Sequence, residues 1–405
     1  MKKHLLALSA AAVLLAPNAV GAEGFAVNEW SAEGMAMGGA RMFAENDAAN
    51  IAYNPASLTK IKGEVAKISA TYLSPHGKYK AEGPYADVVA PAEGRNRVHP
   101  AWAPGSYYVR QINDKEWLGF GAYSRFGNCC QFEAGSLPGT NNSSAKVNGI
   151  SLGVNYAKKL DNKWSASVGA EVNYVGLIFD KTPYSPDAKR FVNAHIEGDS
   201  YALGWNAAAN YSFDDKNEIG VVYRSKVNHS MEAKARGTAI PIQNMDVYGV
   251  VTLPESVMIG YSHKFNDKTR IELNGTWTRW SRFDRLDMVP ISESAKNWSD
   301  GWRYAIGIEH KLSEKYSLLG GIAYDESAIP DYNGADFMVP TGTRTTYTIG
   351  AQYHDAKQTV ALTLGHMVVG DLHMTGDMAH GDGYTKAHMY DSYTKMVSIS
   401  YQYNF

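Results

Sequence analysis

The chain has 405 residues, a net charge of -2, 38 Gly, 26 Tyr and only two Cys. The charge balance offers no polycationic surface for nucleic acid, and two cysteines exclude a disulfide framework. The length admits two or three soluble domains or one large barrel, and average polarity does not decide between them, because membrane barrels alternate lipid-facing apolar with lumen-facing polar residues.

Residues 1–22 begin with Lys2, Lys3 and His4, continue through an apolar run at 5–15 and close on Pro17 and small residues to Ala22. This pattern predicts a Sec signal peptide, with the mature chain starting at Glu23. The run is shorter than the ~20 residues that carry a helix across a bilayer. The next stretch, 24–59, is rich in small residues and does not alternate. Asn54-Pro55-Ala56 ends it with a turn, since Pro lacks an amide donor and biases Asn54 toward extended geometry. Such a composition suits a compact segment packed inside something else.

After Thr59, fourteen segments alternate with period two. They cover 64–74, 107–111, 117–125, 146–159, 163–176, 201–213 and 218–233 in the first half. In the second half they cover 255–265, 269–283, 302–312, 315–324, 345–354, 358–369 and 390–405. Short polar turns such as Asp161-Asn162 and Asn266-Asp267-Lys268 alternate with long loops. The prediction is an all-β, 14-stranded transmembrane antiparallel barrel in a Gram-negative outer membrane, with both termini periplasmic.

Faces follow from alternation. In the last strand Val397, Ile399, Tyr401, Tyr403 and Phe405 face lipid, opposite Ser398, Ser400, Gln402 and Asn404. Tyr201, Leu203 and Trp205, and Trp302, Tyr304, Ile306 and Ile308, form outward sets with aromatic ends, as the interfacial girdles of barrels do. The terminal Phe405 resembles the signal read by the outer-membrane assembly machinery. Arg224, Lys226, Lys264, Arg270, Arg303 and Arg344 are expected inward beside Glu171, Glu218, Glu272, Glu309 and Asp325. Most of these cations are expected to pair with those acids or with Glu29, Glu33, Glu45 and Asp47; Arg303 and Arg344 are the candidates for a ligand carboxylate.

Apolar residues at Met245, Val247, Tyr248, Val250 and Val251, and at Ile329, Tyr332, Phe337, Met338 and Val339, lie where external loops are normally polar, and read equally as a capture surface or as loop-on-loop packing. His366, His373, His380 and His388 match no metal-ligand spacing, so a metal-free external loop is expected. Cys129 and Cys130 read as two thiols rather than a strained vicinal disulfide.

Gly24-Phe25-Ala26-Val27-Asn28-Glu29, Ser31-Ala32-Glu33-Gly34, Gly38-Gly39-Ala40 and Ala52-Tyr53-Asn54-Pro55-Ala56-Ser57-Leu58-Thr59 resemble the FadL-type long-chain fatty acid transporter family. Further matches lie in 223–227, 253–257, 276–283, 302–305 and 323–326. The resemblance implies a signal peptide at 1–22, a hatch at 23–60 plugging the lumen, and a barrel at 61–405. It implies passive transport of a long-chain fatty acid or other hydrophobic molecule, with no cofactor and no catalysis. Phe25 would touch the ligand, and Val247, Tyr248 and Phe337 would take part in capture. Asn54, Pro55 and Ala56 would set how the hatch enters the first strand, and a lateral exit would lie at Phe126, Gly127 and Asn128. Aromatic hydrocarbon uptake by the same route and a general diffusion porin are the alternatives. A hydrolase is disfavoured because no Gly-x-Ser-x-Gly or Ser and His pairing is present. The expected setting is a monomer amid outer-membrane lipid, including lipopolysaccharide.

Overall fold

The computed structural model describes residues 24–82, 92–98, 100–133, 136, 144–182, 184–185, 190–237, 244–290, 295–329, 337–339, 342–374 and 386–405. The signal peptide at 1–22, Tyr332 and His380 lie outside these.

Fourteen antiparallel strands close into one barrel among the described residues. In chain order they are β1 Glu64–Ala81, β2 Ala101–Asn113, β3 Glu116–Tyr123 continued by Gly127–Gln131, β4 Ser144–Lys159 and β5 Trp164–Lys181. β6 is Ala194–Ser212, β7 is Asn217–Arg224 and Val227–Gly237, β8 is Met245–Leu253 and Ser256–Lys264, and β9 is Thr269–Thr278. β10 is Gly301–Lys311, β11 Tyr316–Asp325, β12 Arg344–His354, β13 Gln358–Val369 with Leu372–Met374, and β14 Ala387–Asn404. β14 closes on β1 from Asn404↔Val65 to Ala387↔Ala81. No helix among the described residues is long and apolar enough to cross a membrane.

The alternation expected in β6, β10 and β14 is present: Leu203, Trp205, Tyr304, Ile306, Val397 and Ile399 are exposed on the outer wall, and Asn206, Arg303, Ser398 and Ser400 are buried. Lys226 departs from expectation, being exposed at the break between the two parts of β7. Several strands run further on the long-loop side than alternation indicates; β1 reaches Ala81 rather than 74. Beyond the bilayer the outward residues meet water, so the apolar contrast that marks a strand fades.

Residues 24–60 lie against the inner wall. Two short helices, α1 Ala32–Ala36 and α2 Asn50–Tyr53, and a 3₁₀ turn Pro55–Lys60 make up their regular part. Because this segment is too irregular to satisfy its own backbone, inward polar side chains of the strands do so. Ser400 accepts from the Ala32 amide (2.8 Å), Thr363 donates to the Ala32 carbonyl (2.7 Å), Thr348 donates to the Ala36 carbonyl (2.9 Å) and Glu272 accepts from the Met42 amide (2.7 Å). Asn54 accepts from the Ala56 amide at 3.1 Å and donates to Asn210 of β6 at 2.7 Å, and Pro55 opens the 3₁₀ turn that leads into β1.

Charges complete the seating. The Lys67 ammonium of β1 contacts Glu33 (2.9 Å) and Asp47 (2.7 Å), Arg41 pairs with Asp47 (3.1 Å) and Glu309 (3.4 Å), and Lys60 pairs with Glu218 (2.6 Å). Arg224 donates to the Ala52 carbonyl (2.6 Å) and the Ile51 carbonyl (3.1 Å) at the end of α2. The lumen cations therefore hold the N-terminal segment and one another's acids.

Candidate functional site

The start of the N-terminal segment meets the one place where β3 leaves the wall's ladder. β3 pairs with β4 at Tyr123↔Ser151 and again at Gly127↔Asn148, so residues 124–126 oppose only 149–150, a bulge. The bulged backbone turns inward to Phe25–Trp30: the Val27 amide donates to the Arg125 carbonyl (2.8 Å), the Gly127 amide to the Phe25 carbonyl (2.8 Å) and the Trp30 indole to the Ser124 carbonyl (2.7 Å). Arg125 ion-pairs with Glu171 of β5, which offsets the cost of carrying its guanidinium inside.

A consequence appears in the wall. The β2–β3 ladder stops at Gly105↔Tyr123, and Gly127–Gln131 pairs with β4 alone among the described strands. Ala101–Pro104 keep their β1 partners but have no ladder partner on the β3 side; the link beyond is the Arg97 amide to the Gln131 carbonyl at 2.7 Å. The sequence reading put the irregularity at Gly127-Asn128. The strand in fact breaks just before, at Ser124–Phe126, and resumes at Gly127, while the Asn128 amide group donates to the Met338 carbonyl at 2.7 Å.

Phe25 is 3% exposed and sits in a cage of rings, with centroids 4.9 Å from Trp280, 5.3 Å from Phe283 and 6.0 Å from both Phe126 and Trp298. Trp280, Phe283 and Trp298 were not expected here, because alternation carried β9 on to 283. Instead the chain leaves the wall after Thr278 and turns inward through the 3₁₀ turn Trp280–Arg282, with Arg279 and Arg282 tied to Glu255 at 3.2 and 3.3 Å. The Trp-rich run at 277–283 is the available signal, and alternation alone reads it as the end of a strand.

Beside Phe25 a cavity of about 30 Å3 is lined by Val175, Leu177, Phe283, Trp298 and Lys296 among others. Almost all of its lining is apolar carbon, and Lys296, 3% exposed, is the charged residue among those that line it. The Lys296 amide donates to the Asp284 carbonyl at 2.6 Å, which ties Lys296 to the segment that follows the 3₁₀ turn. A lysine at the edge of an apolar pocket is a residue type that can hold a carboxylate at the end of an acyl chain.

The other expected site residues divide. Phe337 and Val247 are buried in the same apolar cluster, Phe337 with its ring centroid 5.4 Å from Phe132. Val247 is on strand β8 rather than a loop, and Tyr248, its neighbour, is 58% exposed on the outer side, hydrogen-bonded through its backbone to Val289. Arg303 is engaged by Asp325 (2.5 Å) and donates to the Gly38 carbonyl (3.0 Å), so it holds the N-terminal segment at Gly38 and is not among the residues lining the cavity. Arg344 donates to the Gly24 carbonyl at 3.1 Å, next to Phe25. Cys129 and Cys130 are not joined by a disulfide.

A closed fourteen-strand barrel with an apolar outer belt and a filled lumen is the architecture of an outer-membrane protein. The sequence profile described as outer membrane protein transport protein (OMPP1/FadL/TodX) matches residues 13–405, and the chain belongs to that family. Outer membrane protein P1 of Haemophilus influenzae is 27% identical, with 87% of each chain covered. The long-chain fatty acid transport protein of Escherichia coli O6:H1 is 26% identical over 80% of this chain and 82% of its own. Among solved structures, a Pseudomonas aeruginosa FadL homologue superposes with a TM-score of 0.81 at 18% identity, covering 94% of this chain and all of its own. The Pseudomonas putida toluene transporter TodX does so at 0.69 and 16% identity, covering 93% and 99%. The protein is accordingly placed in the outer membrane.

Proposed function

We propose that the protein is a passive channel for hydrophobic small molecules, long-chain fatty acids first among them, and not an enzyme. The observation that carries this is the apolar cavity around Phe25, lined also by the buried Lys296 and, next to the break in β3, by Asn128. In this reading residues 23–60 are a hatch. A molecule caught near Phe337 and Val247 displaces Phe25, seats its carboxylate on Lys296 and leaves sideways between β2 and β3 at Phe126–Asn128. Each buried CH2 gains ~0.8 kcal/mol, so an acyl chain favours apolar wall and bilayer over an aqueous bore. The cavity is smaller than such a chain, which makes movement of Phe25 part of binding. A monomer in lipopolysaccharide-containing membrane, inserted through the assembly machinery, completes the proposal. The relatives named for fatty acid transport support the ligand class.

The ring cage favours uncharged aromatic hydrocarbons as the second reading, and one substitution separates the two. Lys296→Met is expected to weaken long-chain fatty acid binding by about 10- to 150-fold, the loss of one charge-assisted hydrogen bond of ~1.5–3 kcal/mol, and to leave toluene binding unchanged. Equal affinity for the fatty acid in both proteins, measured by isothermal titration in detergent, removes the carboxylate role.

The lateral route has its own test. A Cβ added at Gly149 lies 2.4 Å from the Phe126 carbonyl, so Gly149→Val cannot coexist with the inward bend of β3. Fatty acid uptake by intact cells is expected to fall at least about tenfold while the protein still assembles, since a bulge that re-aims a strand is lost. Undiminished uptake by a correctly inserted variant excludes exit at this point.

A further inference from the structure

We propose that Glu82, His373 and His388 form a site for a divalent transition metal of the zinc type at the long-loop rim, joining β1, β13 and β14. One ligand atom from each of the three lies within 4.8 Å of the others, a spread that donors bound about 2.0–2.2 Å from a shared ion can close with small side-chain rotations. The sequence could not reveal this set, because the spacing of the histidines fits no motif and the carboxylate comes from the far end of the chain. Barrel closure brings them together.

The register explains the meeting. His373 and His388 are directly opposed across β13–β14, and on its other side His388 opposes Lys80 of β1. Glu82 is two residues beyond Lys80, hence on the same face, and its amide donates to the Lys386 carbonyl at 2.8 Å, which continues the ladder. The two imidazoles stack at 4.1 Å with planes 9° apart.

Two further observations point to a ligand. The His388 Nε2 atom is shut from solvent and makes no hydrogen bond among the described residues. Asp371 brings a carboxylate oxygen to 3.5 Å from that same nitrogen, a fourth donor of suitable type. Two imidazole nitrogens with one or two carboxylates suit Zn2+, Ni2+ or Cu2+, whereas Mg2+ and Ca2+ take oxygen ligands. The bound ion cross-links the strands on either side of the β1–β14 closure and stabilises the rim by mass action.

The test uses the full-length mature protein without a polyhistidine tag, stripped with EDTA and titrated with Zn2+ against a chromophoric chelator. One ion per chain with a Kd of about 1 µM or tighter is expected, and His373→Ala and His388→Ala are each expected to weaken it at least about tenfold. His366→Ala, lower on β13, should bind as the unmodified protein does. Because a variant can fail to fold, the unmodified protein is also loaded with Cu2+, whose paramagnetic resonance spectrum is expected to carry coupling to two imidazole nitrogens. No Zn2+ binding at about 100 µM, unchanged binding by the His373→Ala/His388→Ala double variant, or a Cu2+ spectrum without nitrogen coupling each overturns the site.

Discussion

Gly321→Val is expected to unseat the N-terminal segment from the inner wall and turn a closed barrel into a conducting one. Gly307 and Gly321 face each other across β10–β11, and both point inward. A Cβ at Gly321 would lie 2.2 Å from the Gly38 nitrogen and from the Met37 carbonyl carbon, and one at Gly307 would lie 2.6 Å from the Met37 Cβ. Backbone cannot step aside as a flexible side chain does, and Gly38 itself has a positive φ of +63°, where an added Cβ would lie 3.1 Å from the Ile322 backbone. Valine suits the strand, so the wall survives and the segment inside it must yield; overpacking of this kind costs ~1–3 kcal/mol or more. Planar-bilayer recordings should find ion conductance well above that of the unmodified protein, larger still with Gly307→Val added. A silent double variant with unchanged heat stability means that the segment is not held by this contact.

Lys67→Met should act through charge rather than shape. Lys67 is buried between Glu33 and Asp47, and removing it leaves two carboxylates in the lumen without their shared cation. Breaking a buried pair on one side typically costs ~3–5 kcal/mol, and here the loss falls on the attachment of the N-terminal segment to β1. The expected readouts are a lower unfolding midpoint and faster proteolysis within residues 24–60, with Lys67→Arg recovering part of each. If Lys67→Met matches the unmodified protein in both, the ion pairs contribute nothing to seating.

The same cluster sets the response to acid. Burial alone would raise the Asp47 pKa, but Lys67 and Arg41 outweigh it and hold the carboxyl below its usual range. A carboxylate depressed in the folded state contributes stability that is present above its ordinary pKa near 3.8 and is lost as pH falls through the lower folded value. Conductance of the unmodified protein is therefore expected to stay flat from about pH 5 to 8 and to rise only in stronger acid. Opening on mild acidification to about pH 5 would show that another group controls the seat.

Much of this molecule is written in periodicity. Alternation in segments such as 302–312 and 390–405 determines strand, face and membrane, since only a side-chain period of two puts Ile306 in lipid and Arg303 in the lumen at once. The small-residue composition of 24–59 likewise foretells a segment that must fit close to other backbone. Periodicity fails where a strand bends: β9 reads as continuous to 283, yet the turn at Trp280–Arg282 swings two rings onto Phe25. It also says nothing of partners distant in sequence. Whether Arg303 serves a ligand or the Gly38 carbonyl, whether Lys296 reaches the cavity, and whether Glu82 stands beside His388 depend on barrel closure and loop reentry. Those are decided by long-range packing and register, which fix distances that no local pattern encodes.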